Sequence, residues 1–540
     1  MEPDLDRFAS RRSTVYGQRG VVATSQPLAA EAGIETLRSG GNAFDAAVAT
    51  AAALNVVEPT STGLGGDVFA LYRTADGDVG AMRSCGGAPA DATIEAVRAA
   101  VAEDTDQDPA DVEMPFTGPH AVTVPGTARG WEATVDRFGD LELSDVLAPA
   151  IRYAEDGYPV SEVIASAWTH AEDLFETDHA RAAYLFDDAA PDVGQHVKLP
   201  RLAASLRTIA AEGADVVYEG TIAQAIAAAV QDRGGFMTVE DLAGFEVEWP
   251  DPVSTTYNGA TVYELPPNNQ GLIALEALNI AEDLGVGDYD LDAVDRYHYL
   301  VEAMKLAFHD GHHYITDPEY ESIPPLGSKA WAADRATEVG ERAAQDVSYG
   351  VPDAHAEDAD TVLLTVADAA GNVVSYINSR FAGFGSGVVA GDTGIALQNR
   401  GASFSLDPAH PNALAPGKRP FHTLIPALLQ RSPGDWAAFG VMGGYMQPQG
   451  HVQVVSNLVD QDLPLQAALD HPRWRYRESG RLAVEPHFDD RVAAKLVRRG
   501  HDVALRPVSG FGGAQIARRD GDGVLSAATE PRKDGNAQGY

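Results

Sequence analysis

The residue whose position offers the clearest chemistry is Thr361, which opens a β-strand pattern directly after an acidic stretch. A threonine hydroxyl is a poor nucleophile until a base lies beside it. If the peptide bond between Asp360 and Thr361 is cut, the new α-amine becomes that base, and its pKa of about 8 suits proton transfer at neutral pH. Taken alone the signal is weak, because most Asp-Thr pairs at strand starts are turn residues without a catalytic role.

The elements around Thr361 have the form that such a cut requires. Residues 351–360 are acidic and lack any periodicity, which predicts an exposed, mobile loop. Residues 361–367 and 373–377 predict two strands joined by a tight turn at 368–372. A mobile loop therefore ends abruptly at a strand whose first residue is a threonine.

The rest of the chain alternates helix and strand signals before it becomes mostly helical. Residues 42–57 predict an alanine-rich helix capped by asparagine, and residues 68–72 predict a strand. From about residue 130 to residue 340 the spacing of apolar residues is helical, except for strand character at 250–265. The acidic residues 91–116 are low in aromatics, and we expect them to form a mobile surface insertion.

The charge balance limits the partners that this protein can have. The 540 residues include 79 acidic and 39 basic side chains, a net charge of −40, and the acidic excess is spread along the chain. A dispersed negative surface repels nucleic acid and anionic membranes, so neither is an expected partner. It suits a protein that must stay hydrated in strong salt, where screening removes the self-repulsion.

Cysteine use and the N-terminus bear on the compartment. The single cysteine, Cys85, excludes an internal disulfide framework and a multi-cysteine zinc site. The N-terminus opens with acidic residues and has no apolar core, and the longest apolar run, 46–57, is too short to span a bilayer. These features predict a cytoplasmic protein.

Three histidines have a spacing that zinc sites use. His309, His312 and His313 follow the i, i+3, i+4 pattern of one helix face. No activating glutamate motif accompanies them, so exposed or core-edge histidines are the favoured interpretation and no metal is predicted.

Short motifs along the whole chain match one enzyme family. In chain order they are Gly40–Ala47, Gly63–Phe69, Val124–Thr127, Asp360–Asn372, Phe384–Gly387, Lys418–Pro420 and Glu530–Tyr540. Through these motifs and their order the sequence closely resembles the γ-glutamyltranspeptidases.

The resemblance implies a fold of the α+β class, the four-layer αββα sandwich of N-terminal-nucleophile hydrolases. It implies a precursor that cuts itself between Asp360 and Thr361. The large piece, 1–360, and the small catalytic piece, 361–540, would remain bound as one unit. Thr361 would attack a side-chain-type amide, form an acyl-enzyme and pass the acyl group to water or an amine, without a metal or organic cofactor.

The resemblance also assigns roles to other residues. Ser379 falls where the family has a hydroxyl that supports the nucleophile, and Gly443 and Gly444 match the paired glycines whose N–H groups form the oxyanion hole. Arg83 falls on the arginine that grips the substrate's α-carboxylate with two parallel hydrogen bonds.

His422 and Thr423 occupy the positions of a serine pair that also contacts the α-carboxylate in the family. Thr423 keeps a hydroxyl, and His422 offers a ring nitrogen as a donor.

Three positions depart from the family pattern. Members that act on γ-glutamyl groups hold the substrate's α-ammonium with an Asn, a Gln or Glu, and an Asp. The matching residues here are Phe381, Arg400 and Ser403, and none carries the expected group. Arg400 would repel an ammonium and attract a second carboxylate.

These departures leave three functions open. The predicted function is a self-processing γ-glutamyl hydrolase or transferase that cleaves glutathione-like amides through a Thr361 acyl-enzyme. The alternative is an acylase for dicarboxylic monoamides, such as glutaryl amides, similar to the cephalosporin acylases. A third is an uncut, non-catalytic scaffold that binds dicarboxylates. The expected partners are the small amide substrate, a water or amine acceptor and the chain's own two fragments, and the sequence leaves a homo-oligomer open.

Overall fold

The structure is a computed structural model that describes residues 12–345, 347–348 and 361–540. The predicted loop at 351–360 and the predicted cleavage residue Asp360 lie outside the described residues. Thr361 lies within them and immediately precedes a strand.

The strands, numbered in chain order, are β1 Val15–Gly17, β2 Gly20–Thr24, β3 Asp67–Arg73, β4 Val79–Ser84, β5 Tyr158–Pro159, β6 His196–Val197, β7 Val253–Tyr257, β8 Ala260–Glu264, β9 Val362–Asp368, β10 Val373–Ser379, β11 Ala427–Ser432, β12 Asp435–Met442, β13 Trp474–Tyr476, β14 Leu482–Val484, β15 Val503–Leu505, β16 Gly513–Arg519, β17 Leu525–Thr529 and β18 Asn536–Gly539.

The α-helices are α1 Pro27–Arg38, α2 Ala43–Val57, α3 Ile94–Thr105, α4 Thr127–Phe138, α5 Leu143–Asp156, α6 Glu162–Trp168, α7 Ala171–Leu174, α8 Asp178–Tyr184, α9 Pro200–Glu212, α10 Asp215–Tyr218, α11 Thr221–Gln231, α12 Val239–Ala243, α13 Gly271–Asp283, α14 Val294–Tyr314, α15 Lys329–Ala336, α16 Met446–Val459, α17 Leu465–Asp470 and α18 Asp490–Arg499. Among the described residues, no helix combines the length and the apolar character needed to cross a bilayer.

Two antiparallel sheets form the centre of the molecule. The six-stranded sheet has the order β18-β2-β9-β10-β3-β4, and the seven-stranded sheet has the order β1-β17-β16-β12-β11-β8-β7. Because side chains alternate along a strand, each sheet has two faces to cover. Leu363 and Ile377 of the smaller sheet pack against Leu428 and Ala438 of the larger one in a shared apolar layer between the sheets.

Helices cover the two outer faces. On the six-stranded sheet, Val362 and Tyr376 pack in one core with apolar residues of α1, α2, α4 and α5. On the seven-stranded sheet, Phe439 and Val441 pack with apolar residues of α13, α14 and α16. The layers therefore run helix, sheet, sheet, helix, which confirms the predicted α+β class and the four-layer αββα sandwich.

Local sequence signals account for the elements nearest Thr361. Asn42 caps α2 in a reciprocal capping box with Asp45, and every residue of this alanine-rich helix is buried. The β9–β10 turn is fixed by Asp368 Oδ1, which accepts hydrogen bonds from the N–H groups of Gly371 and Asn372 at 2.9 and 3.0 Å. Both predictions, the capped helix and the tight hairpin, are confirmed.

The prediction of a mobile insertion at 91–116 is wrong. Residues 94–105 form α3, and Val97 is fully buried against Phe404 and Leu414 in a small separate core. The apolar stripe that anchors this helix is short and is flanked by acidic residues on the solvent side, so its mean composition resembles that of a loop.

Candidate active site

The predicted nucleophile lies in a row of polar residues at one end of the six-stranded sheet. The β9–β10 register, continued by one residue, places Thr361 opposite Ser379, and the β10–β3 register places Ser379 opposite Asp67. All three residues are buried, and cross-strand neighbours share a face, here the one between the two sheets. Thr361 Oγ1 donates a hydrogen bond to Ser379 Oγ at 3.3 Å.

Ser379 is held in place by the turn that follows it. Its Oγ accepts a hydrogen bond from the Phe381 N–H at 2.8 Å. Phe381 has a φ of +83°, a conformation that costs a non-glycine residue on the order of 1–3 kcal/mol and that clusters at functional sites. The strained turn orients both the Ser379 hydroxyl and the Phe381 ring.

Arg400 packs on this turn as a buried cation. Its guanidinium lies 4.3 Å from the centroid of the Phe381 ring, and its Nη1 donates to Thr423 Oγ1 at 2.9 Å. Burial lowers the pKa of Arg400 to about 10, so the side chain is still charged at neutral pH.

Part of the hydrogen-bonding capacity around Arg400 is unused. Its Nε and Nη2, and the nearby Ser403 Oγ, are buried without a hydrogen-bond partner among the described residues. Buried polar groups are nearly always paired, and unpaired guanidinium N–H groups match a carboxylate, which only accepts hydrogen bonds. This arrangement fits an anionic group and disfavours an ammonium.

Asp67, a residue without a predicted role, forms the third member of the row. Its Oδ1 accepts hydrogen bonds from Gln398 Nε2 at 3.0 Å and from the Gly126 N–H at 3.1 Å. Burial raises the pKa of Asp67 to about 7, while the charge of Arg400 opposes that rise.

His422 faces Asp67 and not an open pocket. Its Nδ1 accepts from the Leu424 N–H at 3.2 Å, so Nε2 carries the proton and donates to Asp67 Oδ2 at 3.1 Å. Burial, together with the charges of Arg400 and Arg83, lowers the pKa of His422 well below its usual value. The ring nitrogen that we expected to donate to the substrate is thus already engaged.

The structure places Arg83 within β4, against a carboxylate of the protein itself. Its Nε donates to Glu248 Oε2 at 2.7 Å, and its Nη2 contacts the same oxygen. Its Nη1 contacts the carbonyl oxygen of Pro267. Glu248 also pairs with Arg419, which forms an ion pair with Asp317 at 2.8 Å.

A cavity of about 650 Å³ lies beside this group of ion pairs; its lining includes Cys85, Phe245, Glu248, Asp317 and Arg419. The Glu248 side chain is 38% exposed, whereas Arg83 is 7% exposed. Glu248 therefore stands between Arg83 and solvent, and a substrate carboxylate would have to displace it to reach Arg83.

Gly443 and Gly444 form the junction between β12 and α16. Their φ angles are +110° and +53°, a region that glycine enters without strain. Gln270, fully buried at the start of α13, donates through Nε2 to the carbonyl oxygens of Gly444 at 3.0 Å and Thr423 at 2.7 Å. One amide group thus links the paired glycines to the residue that holds Arg400.

The residues that sequence reasoning missed are Asp67, Gln270 and Glu248. Asp67 lies in the motif Gly63–Phe69 and begins the apolar strand β3. An acidic residue at the start of an apolar strand could have indicated a functional role. Gln270 and Glu248 act through partners more than a hundred positions away in sequence, and nothing local distinguishes them.

The histidines singled out for zinc do not come together. His312 is buried between the rings of Phe308 and Phe421, and His313 is exposed. Within the described ranges, one group of three potential ligands has its donor atoms within 4.8 Å of one another: His298, Glu302 and His501.

That group is bonded internally. His298 Nδ1 lies 2.8 Å from His501 Nε2, and Lys305 Nζ lies 2.7 Å from Glu302 Oε1. The other Glu302 oxygen, Oε2, accepts a hydrogen bond from the Ala344 N–H at 2.9 Å, so we interpret the group as a buried polar network.

The site as a whole joins a hydroxyl pair to a buried anion receptor. Hydrogen bonds join Thr361 to Ser379 and Ser379 to the Phe381 N–H, and the Phe381 ring stacks on Arg400. Arg400 in turn donates to the Thr423 hydroxyl. Gln270 donates to the carbonyl oxygens of both Thr423 and Gly444. Of the predicted site residues that the structure describes, Arg83, His422 and Ser403 lie outside this series of contacts, and His422 bonds to Asp67 instead. A nucleophilic hydroxyl, backbone N–H groups and a buried cation are the components that acyl transfer from a carboxylate-bearing amide requires.

Comparison with known proteins finds relatives that match along nearly the whole chain. The chain is similar to the glutathione hydrolase-like YwrD proenzyme of Bacillus subtilis, with 37% identity over 97% of this chain and 99% of that protein. It is similar to the oxamate amidohydrolase proenzyme of Klebsiella pneumoniae, with 36% identity over 98% of this chain and 100% of that protein.

Among solved structures, the cephalosporin acylase from Bacillus halodurans superposes with a TM-score of 0.90 and 44% identity, covering 100% of this chain and 99% of that chain. The family model for γ-glutamyltranspeptidase matches residues 29–540. The chain belongs to the γ-glutamyltranspeptidase family.

Proposed function

We propose that this protein is a self-processing amidohydrolase in which Thr361 is both the cleavage point and the nucleophile. The cut between Asp360 and Thr361 would yield the pieces 1–360 and 361–540. The six-stranded sheet supports their lasting association, because β2, β3 and β4 belong to the first piece while β9, β10 and β18 belong to the second. The two sets interleave, so separation would require the sheet to be split.

The reaction follows from Thr361, at the end of that sheet, and from the glycine pair that follows β12 of the other sheet. The freed α-amine of Thr361 takes the proton from Oγ1 as that oxygen attacks the amide carbon. The N–H groups of Gly443 and Gly444 stabilise the developing oxyanion. The amine product leaves with the proton, and water or a second amine then releases the acyl group from Thr361. This scheme calls for no cofactor.

The acyl group is the part of the substrate that Arg400 selects. We infer that it carries a carboxylate and no α-ammonium, as in glutaryl and related dicarboxylic monoamides. The observation that carries this inference is that two nitrogens of a fully buried guanidinium, Nε and Nη2, have no hydrogen-bond partner among the residues that the structure describes. Two relatives named for amide cleavage support it, since oxamate is itself the monoamide of a dicarboxylic acid.

γ-Glutamyl amides are the second candidate, supported by the family and by the relative named as glutathione hydrolase-like. Asp67 is the carboxylate best placed to hold their α-ammonium. It already accepts three hydrogen bonds, from Gln398, Gly126 and His422, and lies beside the competing charge of Arg400. We therefore rank this candidate below the acylase.

The two candidates are separated by comparing p-nitroaniline release from glutaryl and γ-glutamyl p-nitroanilides, at high salt, with the purified protein. We expect the higher kcat/KM for the glutaryl compound. A higher value for the γ-glutamyl compound would overturn the substrate assignment and leave the chemistry intact. No release from either, together with one full-length band on a denaturing gel, would support the third function, an uncut scaffold that binds dicarboxylates.

A further inference from the structure

Asp67 is the one buried carboxylate in the polar row that begins at the nucleophile, and the mechanism above gives it no role. It lies opposite Ser379 in the β10–β3 register and is fully buried. Its three hydrogen-bond donors are an amide group, a backbone N–H and a neutral imidazole. A buried carboxyl group with only neutral donors stays ionised near neutral pH only if a nearby cation offsets its charge.

Arg400 is that cation, and Asp67 accepts hydrogen bonds from both chain segments that hold the Arg400 side chain in place. Gln398, which donates to Asp67, precedes Arg400 by two residues. His422, which also donates to Asp67, directly precedes Thr423, whose hydroxyl accepts from Arg400. The orientation of the guanidinium therefore depends on Asp67 from two sides.

Resting on the proposed function, we propose that Asp67 is a positioning residue that holds Arg400 and His422 as one receptor for the acyl carboxylate, and that Asp67 takes up a proton from solvent when this carboxylate binds. The proton returns to solvent when the acid product leaves.

The charge balance around Asp67 gives the reason. His422 is neutral because burial lowers its pKa, and Cys85 and Tyr218 are neutral because burial raises theirs. Arg83 is matched by Glu248. The freed α-amine of Thr361 is neutral when it acts as the base, so Arg400 and Asp67 then balance each other before binding.

A substrate carboxylate on Arg400 adds a second negative charge to this buried space. Like charges in one site raise the pKa of a carboxyl group. Burial has already raised the pKa of Asp67 to about 7, so protonation of Asp67 on binding needs only a modest further shift. Above the pKa of Asp67, the enzyme with bound carboxylate therefore carries one proton more than the free enzyme.

The test measures KM and kcat of glutaryl p-nitroanilide between about pH 6 and 9 for the wild type, Asp67→Asn and Asp368→Asn. In the wild type we expect KM to rise by about tenfold per pH unit above the midpoint, without a matching fall in kcat. Asp67→Asn should abolish this slope, because asparagine cannot titrate. Asp368, a buried acid at the far end of β9, is the matched control and should leave the slope unchanged.

If the role of Asp67 is purely structural, Asp67→Asn will raise KM by the same factor at every pH and the slope will remain. A wild-type KM that does not change with pH would overturn the proposal. If Asp67→Asn fails to fold, calorimetry of glutarate binding to the wild type in two buffers of different ionisation enthalpy reports proton uptake directly. Binding without uptake above about pH 7 contradicts the inference. Failure of the proposed function is distinguishable, since the glutaryl compound would then be a poorer substrate than the γ-glutamyl compound at every pH.

Discussion

Thr361 and Ser379 lie opposite each other on neighbouring strands, with their hydroxyl oxygens 3.3 Å apart. The Ser379 oxygen is itself fixed by the N–H of Phe381. The proposed nucleophile therefore faces a hydroxyl whose position is set by a strained turn, and that same turn carries the ring on which Arg400 stacks.

Removing the Ser379 hydroxyl should slow catalysis. Ser379→Ala removes the hydrogen-bond partner of the Thr361 oxygen, and we expect kcat to fall by about 10- to 100-fold with a small change in KM. The measurement is steady-state kinetics on processed protein. Ser375→Ala is the matched control, since Ser375 lies on the same face of the same strand and bonds instead to the Phe439 carbonyl; equal losses in both variants would refute the assigned role.

Arg400 should decide which acyl group is preferred. Arg400→Gln removes the buried charge, and we expect kcat/KM for the glutaryl anilide to fall by roughly 100-fold, because an unpaired carboxylate in a buried site costs several kcal/mol. The γ-glutamyl anilide should lose much less. The ratio of the two rates is the readout, and Arg296→Gln, a buried arginine bonded to Ser456 and Asn457, should leave that ratio unaltered. An unchanged ratio in Arg400→Gln would count against the account.

Glu248 should compete with the substrate for Arg83. Glu248→Gln weakens the pairing that covers Arg83 and leaves the Arg83 charge free to attract the carboxylate that Arg400 holds, since both charges already act on His422. KM for the glutaryl anilide should therefore fall by about twofold to fivefold, as expected for one partly exposed ion pair. Glu246→Gln, at an exposed position that lines the same cavity, is the control for general loss of negative charge. If KM rises in Glu248→Gln, Glu248 supports Arg83 and does not obstruct it.

The helix and the hairpin beside Thr361 could be predicted because each is specified locally. Asn42 and Asp45 form a capping box within four residues, and Asp368 closes its own turn. The predicted site residues came from motif positions, and the structure joins Thr361, Ser379, Arg400, Thr423 and Gly444 in one series of contacts. The contacts that each of these residues makes could not be predicted from motif positions.

The misjudged features share one physical cause, which is that they depend on distant partners. Val97 is buried only because Phe404 and Leu414 approach from elsewhere in the chain. His422 donates to Asp67, which lies 355 positions away, and Arg83 is covered by a glutamate 165 positions away. A composition or a spacing holds no information about such contacts.

The paired glycines should tolerate no side chain. Gly443 has a φ of +110°, and a Cβ there would lie 3.1 Å from the Gly512 Cα. Gly443→Ala should shift the peptide group that supports the oxyanion, and we expect kcat to fall by about 100- to 1000-fold. Gly434→Ala, at a φ of +82° in the β11–β12 turn, imposes similar backbone strain away from the site. It should lower the melting temperature without lowering kcat, and a comparable kcat loss in both would assign the effect to strain alone.

The central claim is that Thr361 becomes an N-terminal residue and then the nucleophile. Intact mass spectrometry of the purified wild type and of Thr361→Ala tests it most directly. We predict two masses for the wild type, matching residues 1–360 and 361–540, and one full-length, inactive chain for Thr361→Ala. A wild type that is active as one continuous chain, or a Thr361→Ala variant that is cut and active, would contradict it.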